Sequence, residues 1–471
     1  MRVEQIYTGC LAQGAYYIES AGEIAIIDPL REVQPYIDMA NQSGGKIKYI
    51  FETHFHADFV SGHVTLSEKT GAPIIYGPNA KPAFDALIAE DGQIFKLGEV
   101  EIKVLHTPGH TMESTTYLLL DESGKEYAIF SGDTLFLGDV GRPDLAQKAA
   151  SMTQEDLASI LYDSLRNKIM TLPDSTIVYP GHGAGSACGK NMSKETVGSI
   201  GDQKVNNYAL RADMTRAEFV QEVTDGLMPP PAYFPLNVKM NKEGYKDIEE
   251  VISRGENALN PEAFELAANN TGALVLDVRH QKDFVQGHIP RSIFIGLNGS
   301  FAPWVGAMIK DVETPILLIT PEGKLEEAIT RLSRVGFDNI LGYLEGGFEA
   351  WAAAGKETDS IETISAEAFA GLDRSEDMHV FDVRKDGEYK SEHVVDAEHT
   401  PLTFINDHLA TFKSKQGKQY MHCAGGYRSV IANSILKARG IHGIIDVLGG
   451  FGAIKKTDAE VTTYVCPSTL K

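Results

Sequence analysis

The segment THFHADF (residues 53–59) directly follows the apolar run KYIFE (residues 48–52). The apolar run has the β-branched and aromatic composition of a buried strand. Two histidines separated by one residue at the end of a strand can be aimed at a common point by a turn. Imidazole and carboxylate groups are the ligands that borderline divalent metals prefer. The segment therefore predicts one corner of a metal site.

Three further candidate ligands occur in the same context, a strand end that runs into a glycine turn. A single histidine in such a position is more often a core or surface residue than a metal ligand. A set of histidines and aspartates that all lie at strand exits instead favours a shared metal site. The complete candidate set is His54, His56, Asp58, His110 in HTPGH, Asp133 in FSGD and His182 in YPGHG.

Short apolar segments separated by turns continue through the first half of the chain and predict strands. Two longer segments, REVQPYIDMANQSG and TQEDLASILYDSLRNKIM, predict helices, and the acidic residues after Thr153 suit a helix N-terminus. The run Pro229-Pro230-Pro231 predicts a stiff connector. We expect a first domain over residues 1–250. The strand-like segments are AYYIES, EIAIIDP, KYIFETH, PIIYGP, VEIKVLHTPGH, TTYLLLD, EYAIFSGD and STIVYPGHG.

The second half of the chain contains a repeat of about 100 residues. LVLDVRHQKDFVQGHIP, from Leu274, matches HVFDVRKDGEYKSEHVV, from His379, and each copy ends in Gly-Gly-Phe, at 346–348 and 449–451. Strand-like and helix-like segments alternate in both copies, which predicts parallel sheets with helices on their faces. The expected domains are residues 257–356 and 361–471.

The second copy contains a cysteine loop in YMHCAGGYRSVIANSILKARG. Cys423 follows a predicted strand, and small residues after it allow backbone N–H groups to converge on the sulfur. The helix that begins near Arg428 directs its positive end to the same point, so the loop favours a reactive thiolate. The predicted catalytic residues are Cys423 and Arg428, and the predicted substrate-binding loop is Ala424, Gly425, Gly426 and Tyr427.

The first copy lacks these groups. Thr320 stands opposite Cys423, and Glu322 places a carboxylate where the other copy would hold an anion. No arginine matches Arg428. We therefore expect a catalytically silent domain that packs against or docks its neighbours.

The composition and charge of the chain argue against several classes of protein. The chain has 471 residues and a formal net charge of −22, so a basic nucleic-acid-binding surface is not expected. No apolar run approaches the roughly 18 residues of a membrane span, and the N-terminus lacks the pattern of a signal peptide. The four cysteines are far apart, which predicts a reducing cytoplasmic location and no disulfide framework.

The first block resembles the metallo-β-lactamase superfamily. The signature H-x-H-x-D-H stands here as HFHADF, with Phe59 in place of the last histidine. The resemblance implies an αββα sandwich with the metal at one edge of two sheets. The missing imidazole weakens the second metal position and favours a mononuclear centre.

Within this superfamily the profile is similar to the persulfide dioxygenases, which hold one Fe(II) by two histidines and one aspartate. The resemblance places the iron ligands on His54, His110 and Asp133. His56, Asp58 and His182 would then orient ligands or waters, or form a second metal position. Spacing alone does not choose between iron and zinc, so zinc remains the alternative metal.

The last block resembles the rhodanese sulfurtransferases. Cys423 to Arg428 forms the C-x₄-R loop of that family, whereas related phosphatases use a longer C-x₅-R loop. The D-V-R motif, Glu388, His393 and the closing Gly-Gly-Phe support the likeness. The resemblance implies that Cys423 takes up a sulfane sulfur as a persulfide and passes it to a nucleophile.

Two residues of the first block have two open interpretations each. Arg142, in Gly-Arg-Pro-Asp, is predicted either to bind an anionic substrate or to form a surface ion pair. Cys188, six residues after His182, is either a persulfide relay or a small buried residue.

These features together predict an enzyme that oxidises a low-molecular-weight thiol persulfide with O₂ to thiol and sulfite, and that forms thiosulfate through Cys423. The expected partners are the persulfide, O₂ and sulfite, with no nucleic acid and no membrane, in a homo-oligomer. One alternative is a zinc-dependent thioester hydrolase of the glyoxalase II type with rhodanese modules. Another is a non-catalytic sulfur carrier or sensor.

Overall fold

The computed structural model describes residues 1–147, 151–373 and 377–466. The chain divides into two compact units. The first comprises residues 1–248 together with 310–312 and 332–336, and the second comprises 249–309, 313–331 and 337–471. None of the helices in the described part of the chain has the length and apolar content that a bilayer span requires.

The first unit contains two six-stranded mixed sheets. All eight segments predicted as strands are strands in the structure. The first sheet has the order Arg2–Thr8, Gln13–Ser20, Glu23–Ile27, Lys46–Phe51, Ile74–Tyr76 and Leu87–Ile88. The second has the order Gly198–Ser199, Ile177–Pro180, Glu126–Gly132, Thr115–Leu120, Val100–His106 and Ile94–Leu97.

A single apolar core joins the inner faces of these two sheets. Phe51 of the first sheet contacts Tyr117 of the second with ring centroids 4.7 Å apart, and Tyr16 contacts Phe130 at 5.0 Å. Separate apolar clusters on the outer faces are covered by helices. This arrangement confirms the predicted αββα sandwich. Its helices are Gln34–Ser43, His63–Thr70, Gln154–Ser164, Ile200–Asn206, Arg216–Thr224 and Phe234–Glu243, with a π-helical turn at Leu165–Ile169 and a 3₁₀ turn at Tyr208–Leu210.

The second unit contains two five-stranded sheets that are parallel throughout and share one strand order, as the repeat predicts. The first has the order Ala258–Leu259, Ile340–Leu344, Ile316–Ile319, Leu274–Asp277 and Ile293–Phe294. The second has the order Thr363–Ile364, Ile444–Val447, Lys418–His422, Met378–Asp382 and Glu398–His399. The accompanying helices are Ile248–Gly255, Pro261–Thr271, Gln281–Gln286, Phe301–Met308, Leu325–Ser333, Gly347–Ala353, Ala366–Ala370, Asp386–Ser391, Leu409–Ser414, Arg428–Ala438 and Gly450–Ile454, with a 3₁₀ segment at Leu402–His408.

The repeated D-V-R motif forms the same buried clamp in each copy. Arg384 makes a bidentate pair with Asp382, at 2.6 Å for the shortest contact, and its guanidinium lies 4.0 Å from the centre of the Phe451 ring. Arg279 repeats this with Asp277 and the ring of Phe348. The clamp therefore ties the D-V-R motif to the Gly-Gly-Phe motif, which explains why both recur together.

The helix Gln154–Ser164 begins with a capping box. The Thr153 hydroxyl accepts a hydrogen bond from the Asp156 N–H at 3.1 Å, and the Asp156 carboxylate accepts one from the Thr153 N–H at 3.1 Å. Thr153→Ala removes the first of these and should cost about 1 kcal/mol. We expect the midpoint of the first unit's thermal unfolding, followed by circular dichroism, to fall by about 2–4 °C. Thr153→Ser keeps the acceptor and should restore the midpoint; an equal loss would contradict the capping role.

Candidate functional site

The six candidate metal ligands lie on four loops at one edge of the sandwich. The loop after Lys46–Phe51 of the first sheet carries three of them. The loops after Val100–His106, Glu126–Gly132 and Ile177–Pro180 of the second sheet carry the others. Strand ends of both sheets thus converge on one buried point, and all six residues are less than a tenth exposed.

His54, His110 and Asp133 form one cluster. Asp133 Oδ2 lies 3.4 Å from His110 Nε2 and 3.8 Å from His54 Nε2, and the ligand atoms of the three residues all lie within 4.8 Å of one another. The Nδ1 atoms of the two imidazoles are held by groups outside the cluster. His110 Nδ1 donates to the Arg142 carbonyl at 2.8 Å, and His54 Nδ1 contacts Thr53 Oγ1 at 3.0 Å. Both imidazoles therefore turn Nε2 toward the carboxylate.

The donor set fits a cation. Neither carboxylate oxygen of Asp133 has a hydrogen-bond partner among the described residues, and nor does His182 Nε2. Buried polar atoms of this kind are costly unless something satisfies them. Burial and the neighbouring imidazoles lower the pKa of His54, which keeps its ring neutral as a metal ligand requires. A divalent ion would satisfy all of these atoms together.

His56, Asp58 and His182 form a second cluster beside the first. His182 Nε2 lies 3.4 Å from Asp58 Oδ2 and 3.6 Å from Asp133 Oδ1. Asp133 therefore faces both clusters, one oxygen toward each. Burial opposes protonation of His182, but the Asp58 and Asp133 carboxylates outweigh it and raise its pKa. This cluster also attracts positive charge.

Cys188 joins this second cluster, since its sulfur lies within 4.8 Å of ligand atoms of Asp133 and His182. The side chain is buried, as one of its two interpretations requires. Burial, reinforced by the Asp58 and Asp133 carboxylates, raises the pKa of the Cys188 thiol to about 12. The thiol is consequently neutral near pH 7 unless a cation lies beside it. Its relay role stays a prediction.

Phe59 fills the place of the missing imidazole. It is fully buried, and its ring centroid lies 4.4 Å from that of His56. His56 in turn directs Nε2 toward Asp28 Oδ1, at 3.1 Å. An apolar ring thus packs where the family signature has a nitrogen ligand.

Arg142 is engaged within the protein. It donates to both carboxylate oxygens of Asp144, at 2.6 and 2.7 Å, and to the carbonyls of Ala187 and Met228. Of its two predicted roles, the ion pair is the one present here, although it is buried and not on the surface. The Arg142 carbonyl, through His110, gives the residue a second connection to the metal centre.

The cysteine loop lies between Lys418–His422 and Arg428–Ala438, as predicted. Cys423 is buried, and the Gly426 N–H donates to its sulfur at 3.1 Å. Gly426 has φ +93°, a conformation that glycine adopts without strain. The helix Arg428–Ala438 begins at the end of this loop, and its N-terminus together with the Gly426 N–H favours a bound anion near the sulfur.

Arg428 forms a bidentate pair with Glu388, at 2.6 and 2.8 Å. The pair also lowers the pKa of Glu388 against the opposing effect of burial. Arg428 lines the pocket over Cys423 together with Ala424, Gly425 and Tyr427. In the other copy Thr320 directly follows the strand Ile316–Ile319, the position that Cys423 has here.

Comparisons with known proteins agree with this architecture. A family model described as the metallo-beta-lactamase superfamily matches residues 8–182, and a rhodanese-like domain model matches residues 260–354 and 365–457. The crystal structure of a metallo-beta-lactamase from Staphylococcus aureus is 30% identical, with 73% of this chain and 98% of that chain covered and a TM-score of 0.64. The chain belongs to the metallo-β-lactamase superfamily. Two rhodanese-like domains follow its metallo-β-lactamase domain.

Two further relatives match part of the chain. A hydroxyacylglutathione hydrolase from Rhizobium etli is 37% identical over 164 residues, which are 34% of this chain and 57% of that protein. The crystal structure of ETHE1 from Myxococcus xanthus is 30% identical, with 51% of this chain and 98% of that chain covered and a TM-score of 0.44. The chain therefore spans little more than half of the curated hydrolase.

The metallo-β-lactamase site contains supporting residues that the sequence did not reveal. Asp28 accepts hydrogen bonds from the N–H and the hydroxyl of Thr53, both at 2.8 Å, and thereby fixes the residue that contacts His54. Glu52 accepts from Ser61 and is fully buried, and burial together with Asp28 raises its pKa. Each of these carboxylates directly follows a strand, and that position was the signal available in the sequence. Many acidic residues on protein surfaces occupy the same kind of position, so the signal did not single them out.

The metal cluster predicts the effect of losing one imidazole. His54→Ala should reduce the metal bound per chain to about a tenth or less, because a direct ligand contributes at least as much as a residue behind it. Mass spectrometry of anaerobically purified protein measures the content. His442→Ala removes an exposed histidine of the last domain and should leave it unchanged. Two equivalents of metal, one of them lost with Asp58→Ala, would contradict a mononuclear centre.

Proposed function

We propose that the chain oxidises a low-molecular-weight thiol persulfide with O₂ at an Fe(II) centre, and that Cys423 transfers sulfane sulfur to the sulfite produced. The overall oxidation is RSSH + O₂ + H₂O → RSH + SO₃²⁻ + 2H⁺. His54, His110 and Asp133 would hold the iron. Bound Fe(II) supplies open positions for O₂ and sulfur, and its unpaired electrons permit a reaction that is otherwise spin-forbidden.

One observation carries this proposal: a buried cluster of two histidines and one carboxylate occurs in the same chain as a loop cysteine whose sulfur accepts a backbone N–H. Two histidines and one carboxylate are the ligand set of non-haem iron oxygenases. A cysteine at a helix N-terminus that accepts a backbone N–H is suited to carry a persulfide. Persulfide is the substrate that both sites can share.

The protein's own groups prepare the metal centre. The Arg142 carbonyl and Thr53 fix the ring orientations of His110 and His54. Burial excludes bulk water from the cluster, and burial together with the neighbouring imidazoles lowers the pKa of His54 and keeps it available as a neutral ligand. His182 and Asp58, adjacent to Asp133, can take up and release the protons that the overall equation produces.

At Cys423 the thiolate attacks the outer sulfur of the carrier: Cys–S⁻ + RS–SH → Cys–S–SH + RS⁻. The sulfur–sulfur bond of the carrier breaks, a new one forms to Cys423, and the carrier leaves as its thiolate. Sulfite then takes the outer sulfur: Cys–S–SH + SO₃²⁻ → Cys–S⁻ + HS–SO₃⁻. The Gly426 N–H and the helix N-terminus stabilise the anionic sulfur in both steps.

A second candidate is a zinc hydrolase that acts on a thioester. The hydroxyacylglutathione hydrolase relatives and the second cluster of His56, Asp58 and His182 favour it. Oxygen uptake with glutathione persulfide, measured on protein of known metal content, separates the two. Uptake that follows the iron content supports the dioxygenase. Hydrolysis of a glutathione thioester without oxygen uptake, in zinc-loaded protein, supports the hydrolase.

Cys423→Ser replaces the thiolate by a hydroxyl that does not ionise near neutral pH. With glutathione persulfide and O₂, we expect unchanged metal content and continued oxygen uptake, while the product shifts from thiosulfate to sulfite. Ion chromatography measures both anions. Thr320→Ala changes the equivalent position of the silent copy and should leave the product ratio at the wild-type value. Wild-type thiosulfate formation by Cys423→Ser would refute the transfer step.

A further inference from the structure

The pocket over Cys423 is built from both rhodanese-like copies. It has a volume of about 390 Å³, in the range of pockets for small organic ligands. The last copy contributes the cysteine loop. The silent copy contributes the opposite wall, which consists of Gln281, Asn298, Gly299, Ser300 and Trp304.

The cysteine loop is bound to this wall through Tyr427. The Tyr427 hydroxyl donates to the Gly296 carbonyl at 2.6 Å, and its ring lies edge-on to Phe294 at 5.7 Å. A Cβ atom on Gly299 would lie only 2.4 Å from this ring, so a side chain there would displace it. The Phe294 N–H also donates to Ser434, in the helix that follows the loop. The position of the catalytic loop therefore depends on the silent copy.

The inner and outer parts of the pocket differ in chemistry. Near the sulfur, backbone N–H groups and a helix N-terminus suit an anion. Farther out, the wall offers two carboxamides, a hydroxyl and a half-buried indole. Apart from Cys423, Arg428 is the only charged side chain among the lining residues, and Glu388 neutralises it. The outer part is thus poorly suited to a second anionic group but well suited to a neutral organic one.

The two carboxamides are already oriented. Asn298 Nδ2 donates to Gln281 Oε1 at 2.7 Å, so the opposite ends of the pair present the Asn298 carbonyl oxygen and the Gln281 amide nitrogen. An acceptor and a donor side by side are complementary to a secondary amide. Trp304 adds a flat apolar surface for the adjoining chain of the ligand.

We propose that the silent copy selects the sulfur donor of Cys423: its wall binds the amide-bearing body of an organic thiol persulfide. Inorganic thiosulfate, which reaches only the inner part, does not depend on the wall. This inference rests on the proposed sulfur transfer by Cys423 and adds the class of carrier. Gln281, Asn298 and Trp304 act as specificity-determining residues, although they belong to a domain without a nucleophile.

The test compares two donors with one acceptor on the full-length protein. Under anaerobic conditions, which prevent the oxygenase reaction, thiocyanate formation from cyanide is measured with thiosulfate and with the persulfide of N-acetylcysteamine, a neutral thiol that carries a secondary amide. The uncatalysed rate is taken from Cys423→Ser. We expect Trp304→Ala and Asn298→Ala to raise KM for N-acetylcysteamine persulfide about tenfold, while kcat and both constants for thiosulfate stay within about twofold.

Three control variants separate a role in donor binding from a structural role. Asn270→Ala makes the same change at an exposed site of the same domain and should alter neither donor. Trp304→Phe keeps an aromatic face and should restore most of the affinity. Gly299→Ala displaces Tyr427 and should lower kcat for both donors, which is the signature of a purely structural role.

Equal losses for both donors in Trp304→Ala and Asn298→Ala, or no loss for either donor, would overturn the inference while leaving transfer by Cys423 intact. A wild-type protein that forms no thiocyanate above the Cys423→Ser rate from either donor would instead refute the proposed transfer itself. Melting curves of each variant show whether a loss reflects unfolding.

Discussion

The buried carboxylate of Asp133 is the constraint on which the metal centre depends. It follows a strand of the second sheet directly, and its two oxygens face different imidazoles at 3.4–3.8 Å without a hydrogen-bond partner among the described residues. A charge in such surroundings costs several kcal/mol unless an opposite charge lies close to it. Gly181 allows this packing, since a Cβ there would lie 2.6 Å from Asp133 Oδ1. The loops of both sheets are therefore arranged around a cation.

Much of this architecture could be predicted from the sequence because its signals are local. Strands rich in β-branched and aromatic residues, such as Lys46–Phe51, are recognisable from composition alone. The sequence pattern does not predict the strand Arg2–Thr8, because its residues alternate weakly and are only half-buried at a sheet edge. The candidate metal ligands could be found because each follows the end of a strand, and His110, Asp133 and His182 also stand beside a glycine.

The residues that the sequence did not reveal act across large separations in the chain. Asp28 supports His54 from 26 positions away through Thr53, and nothing in IIDP distinguishes it from an ordinary strand end. Trp304 and Asn298 line the pocket of a cysteine more than 100 positions later, in a copy that looks inert when read alone. The sequence places Cys188 six residues after His182, but only the fold shows that its sulfur lies beside Asp133.

The close approach of Gly299 and Tyr427 has a consequence for how such tandem domains can change. Duplicated domains are often treated as interchangeable modules, but here one copy holds a ring that fits only against a bare backbone in the other. A chimaera that takes the cysteine-containing copy from one homologue and the other copy from a second homologue would form this contact only if both of its sides were inherited together. A copy without a nucleophile is therefore still constrained in sequence, because a side chain at position 299 would displace Tyr427 beside the cysteine loop of the other copy.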